Sequence, residues 1–208
     1  MSVAILKYNA GNVQSVLFAM KRLGVEAFVT NNKDELREAS QVIIPGVGEA
    51  GSAMAYFREH GLDVLIPTLT QPVLGICLGL QVLCAHSEEA DTPCLGVFPN
   101  LVRLFKNLPG GTLKVPQIGW NTVLSHRGPL FNGLSDPSYM YYVHSYYAEL
   151  DAPGGLGHLN DLAIATSEYG VPFAAALQKD NFYAVQFHPE KSAASGQQLL
   201  ANFLSLKS

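Results

Sequence analysis

Apolar residues in the first half of the chain alternate between short continuous runs and stripes of helical spacing. The runs at residues 3–6, 25–30, 41–44 and 73–76 predict strands that are buried on both faces. Helices are predicted between and after them, over residues 13–23, 33–39 and about 50–60. Strands that alternate with helices imply parallel pairing with right-handed crossovers, and active sites of such sheets lie beyond the carboxyl ends of the strands.

From residue 96 onward the pattern changes to short strands punctuated by Gly, Pro, Asn and Asp. These strands are predicted at residues 97–98, 102–105, 120–124, 139–147, 162–166, 173–177 and 183–187. A final helix is predicted to start with a capping box at Ser195, and Asn9 or Asn12 is predicted to cap the first helix. The sequence therefore predicts one α/β domain over residues 1–208, with a mostly parallel sheet flanked by helices and an appended antiparallel section.

Composition and charge exclude several classes of function. The 208 residues are 48% hydrophobic and 14% charged, which is typical of a globular protein. A net charge of −4 without a basic run argues against binding to nucleic acid. No apolar stretch approaches the roughly 20 residues that span a bilayer, and the N-terminus lacks the layout of a signal peptide. Three cysteines at spacings that match no zinc pattern predict no metal site and a cytoplasmic location.

The run at residues 73–76 ends at Cys77, which has Gly75 and Gly79 two residues away on either side. This spacing predicts a sharp strand-to-helix turn that raises the thiol to the edge of the sheet. The N-terminus of the following helix would favour the thiolate. A buried cysteine is nevertheless more often a core residue than a nucleophile, so this turn alone leaves both interpretations open.

A second candidate group lies near the end of the chain, where Pro189 separates His188 from Glu190. Two residues apart at the exit of a strand, the imidazole and the carboxylate would leave on the same side. A carboxylate beside an imidazole fixes its tautomer and raises its basicity, which a cysteine nucleophile requires. The alternative for a single histidine in such a position is an ordinary core residue with its hydrogen bonds satisfied.

Residues 75–81 and 186–190 together resemble the class I (triad) glutamine amidotransferase family. Four further segments resemble the branch of that family formed by the glutaminase subunits of imidazole glycerol phosphate synthases, at residues 45–48, 116–121, 141–147 and 187–192. The resemblance covers nearly the whole chain. It implies a flavodoxin-like α/β fold, no cofactor, and hydrolysis of glutamine to glutamate and ammonia through a thioester.

The resemblance also assigns roles to individual residues. It implies Cys77 as nucleophile, His188 as acid and base, and Glu190 as the group that orients the histidine. The oxyanion would be held by the backbone N–H groups of Leu78 and, after a peptide flip, of Gly48. The glutamine-binding residues that it implies are Gly46, Gln81, Glu89 (with Glu88 as the alternative), Ser145 and Tyr146.

The family resemblance further implies a partner, a (β/α)₈ cyclase of histidine biosynthesis that receives the ammonia within a heterodimer. The residues predicted to contact this cyclase are Asn12, Trp120, Tyr141 and Lys191. Glutaminase activity is expected to be weak until the cyclase and its nucleotide ligand bind.

Three other functions remain open from the sequence. The first is a glutaminase that serves a pyridoxal phosphate, anthranilate or guanylate synthase, which residues 119–121 and 143–147 argue against. The second is a cysteine hydrolase or chaperone-like relative outside the amidotransferases, which would not need the His188–Glu190 pair. The third is a structural or binding role in which the three candidate catalytic residues are vestigial.

Overall fold

The computed structural model describes residues 2–9, 11–106, 113–150 and 159–207. The domain predicted over residues 1–208 therefore includes some residues that lie outside the described segments. The helices of the described residues are α1 (Val13–Arg22), α2 (Lys33–Glu38), α3 (Ala50–His60), α4 (Leu62–Leu65), α5 (Leu78–Leu83), α6 (Leu159–Leu162) and α7 (Ala193–Ser205). The strands are β1 (Val3–Leu6), β2 (Ala27–Thr30), β3 (Gln41–Ile44), β4 (Val73–Ile76), β5 (His86–Ser87), β6 (Thr92–Pro93), β7 (Leu101–Leu104), β8 (Gln117–Val123), β9 (Ser138–His144), β10 (Tyr146–Ala148), β11 (Ala163–Glu168), β12 (Pro172–Lys179) and β13 (Phe182–Val185).

The largest sheet has seven strands in the order β11-β12-β13-β4-β3-β1-β2. Strands β2, β1, β3, β4 and β13 are parallel to one another, whereas β12 and β11 continue the sheet in antiparallel orientation. The predicted mostly parallel sheet with an antiparallel section is therefore confirmed. The sequence pattern assigned β13 to the antiparallel section, but the strand lies in the parallel part, directly beside β4.

The parallel strands are buried on both faces because alternate side chains enter two separate cores. In β1, Ala4 and Leu6 pack with helices α3, α4 and α5, which contribute residues such as Phe57 and Leu83. On the opposite face, Ile5 packs with α1 and α7. Helices on both faces leave the carboxyl edge of the sheet as the place where the loops after β1, β3, β4 and β13 meet.

Two smaller sheets accompany the seven-stranded sheet. Strands β10, β7, β5 and β6 form one sheet, and β8 pairs with β9 in an antiparallel ribbon. The single strand predicted at residues 139–147 is in fact two strands, because the chain leaves the ribbon at Ser145 and enters the other sheet as β10. The strand predicted at residues 97–98 is wrong, since these residues form a bend.

The predicted caps are wrong at both ends of the chain. Asn12 occupies the N-cap position of α1, but its φ is 76° and its side chain makes no capping hydrogen bond. Asn9 instead donates to the carbonyl of Ser52. Helix α7 begins at Ala193, before Ser195, and its N-cap residue Ser192 uses its hydroxyl to donate to the His188 carbonyl at 2.6 Å. Asn9 and Asn12 are therefore held by residues distant in the sequence rather than by the terminus of α1.

Candidate active site

Cys77 stands at the junction of β4 and α5 with a backbone conformation that side chains rarely adopt, φ 54° and ψ −103°. Such a conformation costs about 1–3 kcal/mol and persists only where the surroundings enforce it. Glycine is required on both sides for close packing. A Cβ at Gly75 would lie 2.7 Å from the Gly79 carbonyl oxygen, and one at Gly79 would overlap the carbonyl of Ile44. These contacts are consistent with the predicted sharp turn at Cys77.

His188 and Glu190 reach Cys77 because β13 runs parallel to β4. The Cys77 N–H donates to the carbonyl of Val185, the last residue of β13, at 2.8 Å. A short 3₁₀ turn at Pro189–Lys191 then folds the chain back. This turn, rather than an extended strand as the sequence suggested, brings the Glu190 carboxylate to 2.7 Å from His188 Nδ1. Both side chains are fully buried.

His188 also interacts electrostatically with Cys77. Within the described part of the chain, neither His188 Nε2 nor the second carboxylate oxygen of Glu190 has a hydrogen-bond partner. Burial by itself lowers the pKa of His188, but the interaction with a negative Cys77 sulfur and the hydrogen bond to Glu190 outweigh it and raise the pKa to about 10. The arrangement can therefore hold an imidazolium beside the Cys77 sulfur at neutral pH.

Cys77 opens into a cavity of about 250 Å³ at the carboxyl edge of the sheet. This is smaller than the roughly 300–1,000 Å³ of pockets for drug-sized ligands, and it suits a small polar molecule. Six other sequence-predicted site residues line it, namely Gly48, Leu78, Gln81, Glu89, Ser145 and Tyr146. Its remaining lining residues lie in the family-like segments but had no individual role assigned from the sequence, namely Val47, Pro116, Val143 and His144.

The pocket distinguishes Glu89 from Glu88. Glu89 lines the cavity and accepts the N–H of Ala50 at 2.7 Å, and its burial raises the pKa of its carboxyl group. Glu88 accepts the N–H of Leu104 at 2.9 Å and pairs with Arg103 at 3.2 Å, and these contacts lower its pKa. Glu89 is thus the one of the two acidic residues that faces the cavity, whereas Glu88 pairs with Arg103 outside its lining.

The model of the class-I glutamine amidotransferase family matches residues 4–206 of this chain. The chain belongs to this family. A curated relative, imidazole glycerol phosphate synthase subunit HisH of Bacteroides fragilis, is 48% identical over 99% of this chain and 100% of its own length. HisH of Shewanella sediminis is 42% identical over 99% of this chain and 91% of its own length. These identities place the chain in the HisH branch of the amidotransferases.

Solved structures of the family share the fold at low sequence identity. A putative GMP synthase protein from Thermoplasma acidophilum is 19% identical with a TM-score of 0.71, and the match covers 98% of this chain and 92% of that one. The glutaminase domain of Trypanosoma brucei CTPS, solved with bound acivicin, is 15% identical with a TM-score of 0.67, covering 100% and 95%. At these identities the likeness concerns the fold alone.

The loop at residues 45–48 of this amidotransferase holds its peptides by hydrogen bonds on both sides. The Leu78 N–H donates to the carbonyl of Gly46 at 3.3 Å, and the Gly11 N–H donates to the carbonyl of Val47 at 3.1 Å. Gly46 lies beside the pocket rather than in its lining, and the buried Tyr8 hydroxyl donates to the carbonyl of Pro45. Gly48 has φ 144°, which glycine adopts readily. The Leu78 N–H, a predicted oxyanion donor, is therefore already engaged in this amidotransferase structure.

The four residues predicted to contact a partner occupy different positions. Trp120 is 54% exposed and meets the half-buried Tyr141 edge-on, with ring centroids 5.9 Å apart, and Lys191 is exposed. Asn12 is instead partly buried, and its amide donates to the Glu190 carboxylate and approaches His188 Nδ1 at 3.5 Å. This contact was not predicted from the sequence, because no local pattern relates residue 12 to residue 190.

Trp120 and Tyr141 belong to an exposed apolar surface on the β8–β9 ribbon. Cross-strand pairing puts them on one face with their exposed neighbours, and we call this the ribbon face (Ile118, Trp120, Tyr139 and Tyr141). The opposite face of the ribbon is buried and includes Met140 and Tyr142. The ribbon face borders the pocket through Val143, which pairs with Ile118. An uncovered apolar surface of this kind commonly marks an interaction site.

Neither a metal centre nor a membrane span is found in the part of the chain that the structure describes. Among these residues, no cluster of three or more His, Cys, Asp and Glu side chains could hold a metal ion. No helix in the same residues combines the length and the apolar character that crossing a bilayer requires.

Proposed function

We propose that this chain is the glutaminase subunit of an imidazole glycerol phosphate synthase of histidine biosynthesis. It hydrolyses L-glutamine to L-glutamate and ammonia. The ammonia passes to a (β/α)₈ cyclase that makes imidazole glycerol phosphate and an aminoimidazole carboxamide ribonucleotide. The observation that carries this proposal is the grouping of His188 and Glu190 behind Cys77, which lines one small pocket, in a chain 48% identical to HisH of Bacteroides fragilis.

The reaction begins with attack of the Cys77 thiolate on the side-chain amide carbon of glutamine. The sulfur lone pair forms the C–S bond, and the π electrons of the carbonyl move to its oxygen. His188 Nε2 then gives its proton to the amide nitrogen as the C–N bond breaks, so that ammonia leaves and a γ-glutamyl thioester remains. The hydrogen bond from Nδ1 to Glu190 keeps Nε2 directed at the sulfur.

Hydrolysis of the thioester reverses these roles. The neutral His188 takes a proton from water through Nε2 as the water oxygen attacks the thioester carbon. Collapse of the second tetrahedral intermediate expels the Cys77 thiolate and releases glutamate. The imidazolium is thereby restored beside the thiolate, and its raised pKa favours this resting state.

Both tetrahedral intermediates carry a negative oxygen that needs N–H donors. The Leu78 N–H occupies the right place at the start of α5, but it can serve only when the Gly46 carbonyl moves away from it. A flip of the peptide at Gly48 would release the loop and add a second donor. We propose that docking of the cyclase, with its nucleotide ligand, drives this change, and that the isolated chain is correspondingly slow.

The pocket residues bind the amino-acid portion of glutamine. We propose that the Glu89 carboxylate pairs with the substrate ammonium, and that Gln81, Ser145 and Tyr146 hold the remaining polar atoms. We propose that Gly46, which packs against Leu78, keeps the backbone beside the pocket close to the substrate. Ser145 is at the break between β9 and β10, where the backbone leaves one sheet for another.

The ribbon face is the surface that we propose for cyclase docking, together with Lys191 and Asn12. A cyclase seated there would cover the pocket and keep ammonia from being protonated in water. We further propose that residues 1–208 form one domain, since the central sheet takes strands from both halves of the chain, and that the protein acts in the cytoplasm, in keeping with three unpaired cysteines.

Ammonia release from glutamine tests the proposal directly. The assay compares the wild-type chain with Cys77→Ala, each with and without the cyclase and its nucleotide ligand. We expect release by the wild type to rise strongly when cyclase and ligand are added, and release by Cys77→Ala to be absent. Full activity of the isolated wild type would contradict the gating, and activity in Cys77→Ala would contradict the nucleophile.

A further inference from the structure

A chain of side-chain amides leads from the pocket wall to the sulfur of Cys77. Gln81 Nε2 donates to the carbonyl of Tyr146 at 3.0 Å and lies 3.4 Å from Gln186 Oε1. Gln186 Nε2 in turn lies 3.7 Å from Cys77 Sγ. Gln186 follows β13 by one residue and has no solvent exposure. The last member of the chain is thus a buried amide in contact with the reacting sulfur.

The direction of this amide chain is fixed by its first member. The Tyr146 carbonyl can only accept, so Gln81 must turn its NH₂ group toward it. The same NH₂ group has a second hydrogen available for Gln186 Oε1. Gln186 therefore accepts from Gln81 through its oxygen and presents its own NH₂ group to Cys77. Turned the other way, Gln186 would place its NH₂ group against that of Gln81.

The NH₂ group of Gln186 offsets a second contact of Cys77 Sγ, which disfavours the negative charge on the sulfur. The sulfur also lies 3.7 Å from the carbonyl of Val143, which can accept from a neutral S–H but repels a negative sulfur. The charged and titratable groups that influence Cys77 are His188, with Glu190 behind it, and the buried Tyr8, whose pKa burial and the Cys77 charge both raise. In a buried site a hydrogen bond to the charged form carries more weight than in water.

We propose that Gln186 is a further catalytic residue, which donates a hydrogen bond from its side-chain amide to Cys77 Sγ and holds the sulfur as a thiolate aimed at the pocket. Gln81 acts as the positioning residue that keeps the Gln186 amide turned this way. The inference rests on the proposed function only in taking Cys77 as the nucleophile. It gives Gln81 a second role besides facing the substrate.

The pH dependence of Cys77 alkylation tests this role without glutamine or cyclase. The full chain is treated with iodoacetamide across pH 5 to pH 10, and the rate is followed by mass spectrometry on the peptide that contains Cys77. Gln186→Met keeps the length of the side chain and removes the donor. The alkylation midpoint is the pH at which the alkylation rate of Cys77 reaches half of its maximum. Since the lost hydrogen bond stabilised the charged form, we expect this midpoint to rise by about one pH unit, which slows alkylation about tenfold at any pH below both midpoints.

Gln41→Met is the matched control. Gln41 is also buried and its Nε2 donates to the carbonyl of Phe203, far from Cys77 in the sheet. Its replacement removes a comparable buried hydrogen bond, so the alkylation midpoint of Cys77 should stay at the wild-type value. A Gln186→Met midpoint that coincides with that of the wild type would overturn the proposal, and so would an equal shift in both variants.

Two additional measurements keep the proposal testable if Gln186→Met does not fold. Gln186→Glu retains an oxygen for Gln81 but replaces the donor with a second oxygen, so we expect a larger rise of the midpoint than in Gln186→Met. In the wild-type protein, the side-chain NH₂ signal of Gln186 in ¹⁵N-edited NMR spectra should shift as Cys77 ionises, and this shift should vanish in Cys77→Ala. An NH₂ signal that does not change with pH would refute the contact.

These results are separable from the proposed function. If the wild-type complex released no ammonia, the glutaminase assignment would fail while the alkylation midpoints still reported on Gln186. If the complex were active and the midpoints did not move, the role of Gln186 would fail and the glutaminase would stand.

Discussion

Two groups of residues meet at the pocket, and they differ in how firmly the fold holds them. The Cys77 group (Cys77, His188 and Glu190) is buried and follows two neighbouring parallel strands, and a hydrogen bond of 2.7 Å joins its His188 to its Glu190. The 45–48 loop has its Val47 side chain 36% exposed, and its hydrogen bonds occupy the Leu78 N–H that an oxyanion needs.

In the function that we propose, the difference between them separates what the chain completes alone from what it does not. The proposed nucleophile, its acid–base partner and the orienting carboxylate are in place, whereas the proposed donor at Leu78 is occupied by the carbonyl of Gly46. Electrostatic stabilisation of that charge commonly contributes more to the rate of such reactions than any other single effect. Withholding it until a partner docks would prevent wasteful glutamine hydrolysis while leaving the buried group unchanged.

Glu190→Gln tests the buried group. The variant keeps the shape of the side chain but removes the charge that holds His188 in its tautomer, so we expect kcat to fall about 10²–10⁴-fold. Because the Cys77 group is preformed, the loss should be the same with and without the cyclase, as measured by ammonia release. A loss seen only in the complex would mean that the partner also assembles this group.

Gly48→Val tests the loop. A branched side chain is strained at φ 144° and resists the peptide flip, although a Cβ there would meet only Leu78, at 3.8 Å. We expect cyclase-stimulated ammonia release to fall about 10- to 100-fold, in line with loss of one oxyanion donor. The ratio of stimulated to basal rate should fall with it. An unchanged ratio would contradict the idea that the 45–48 loop, and not the Cys77 group, is what the cyclase activates.

Trp120→Ala tests the ribbon face. Exposed tryptophans at interfaces often contribute about 2 kcal/mol, so the dissociation constant for the cyclase should rise about 30-fold by titration calorimetry. Val64→Ala is the matched control, because Val64 is 72% exposed on α4, away from the pocket lining. Equal affinities of Trp120→Ala and the wild type would remove the ribbon face from the docking surface.

The raised pKa of His188 predicts how stability depends on pH. An unfolded histidine releases its proton near pH 6.5, whereas His188 in the fold holds it to about pH 10. The stabilisation from this proton is therefore complete below pH 6.5 and is lost as the pH rises through about 10. In urea denaturation we expect the unfolding free energy to fall from pH 7 to pH 10 by about 3 kcal/mol, at 1.36 kcal/mol for each pKa unit.

Cys77→Ala is the control for this pH dependence. It removes the sulfur charge that contributes to the raised pKa of His188, so the fall between pH 7 and pH 10 should be smaller. Parallel profiles for the variant and the wild type would show that the thiolate does not hold the proton.

Local sequence patterns predict much of the fold and much of the candidate site. Continuous apolar runs predicted β1, β3 and β4 with their observed bounds, because strands buried on both faces need apolar residues at every position. The glycines around Cys77 predicted the sharp turn, since only they permit its close contacts with Gly79 and Ile44. The motifs around Cys77, His188 and Glu190 mark these residues in the sequence, and the structure brings them together.

Only the tertiary structure decided the contacts between distant segments. Local sequence does not show that β13 lies beside β4, that Asn12 turns from its helix toward Glu190, or that the carbonyl of Gly46 occupies the Leu78 N–H. It also does not separate Glu89 from Glu88, since that choice depends on which carboxylate Arg103 reaches. Periodicity and turn chemistry act over a few residues, whereas strand order and side-chain partners follow from packing of the whole chain.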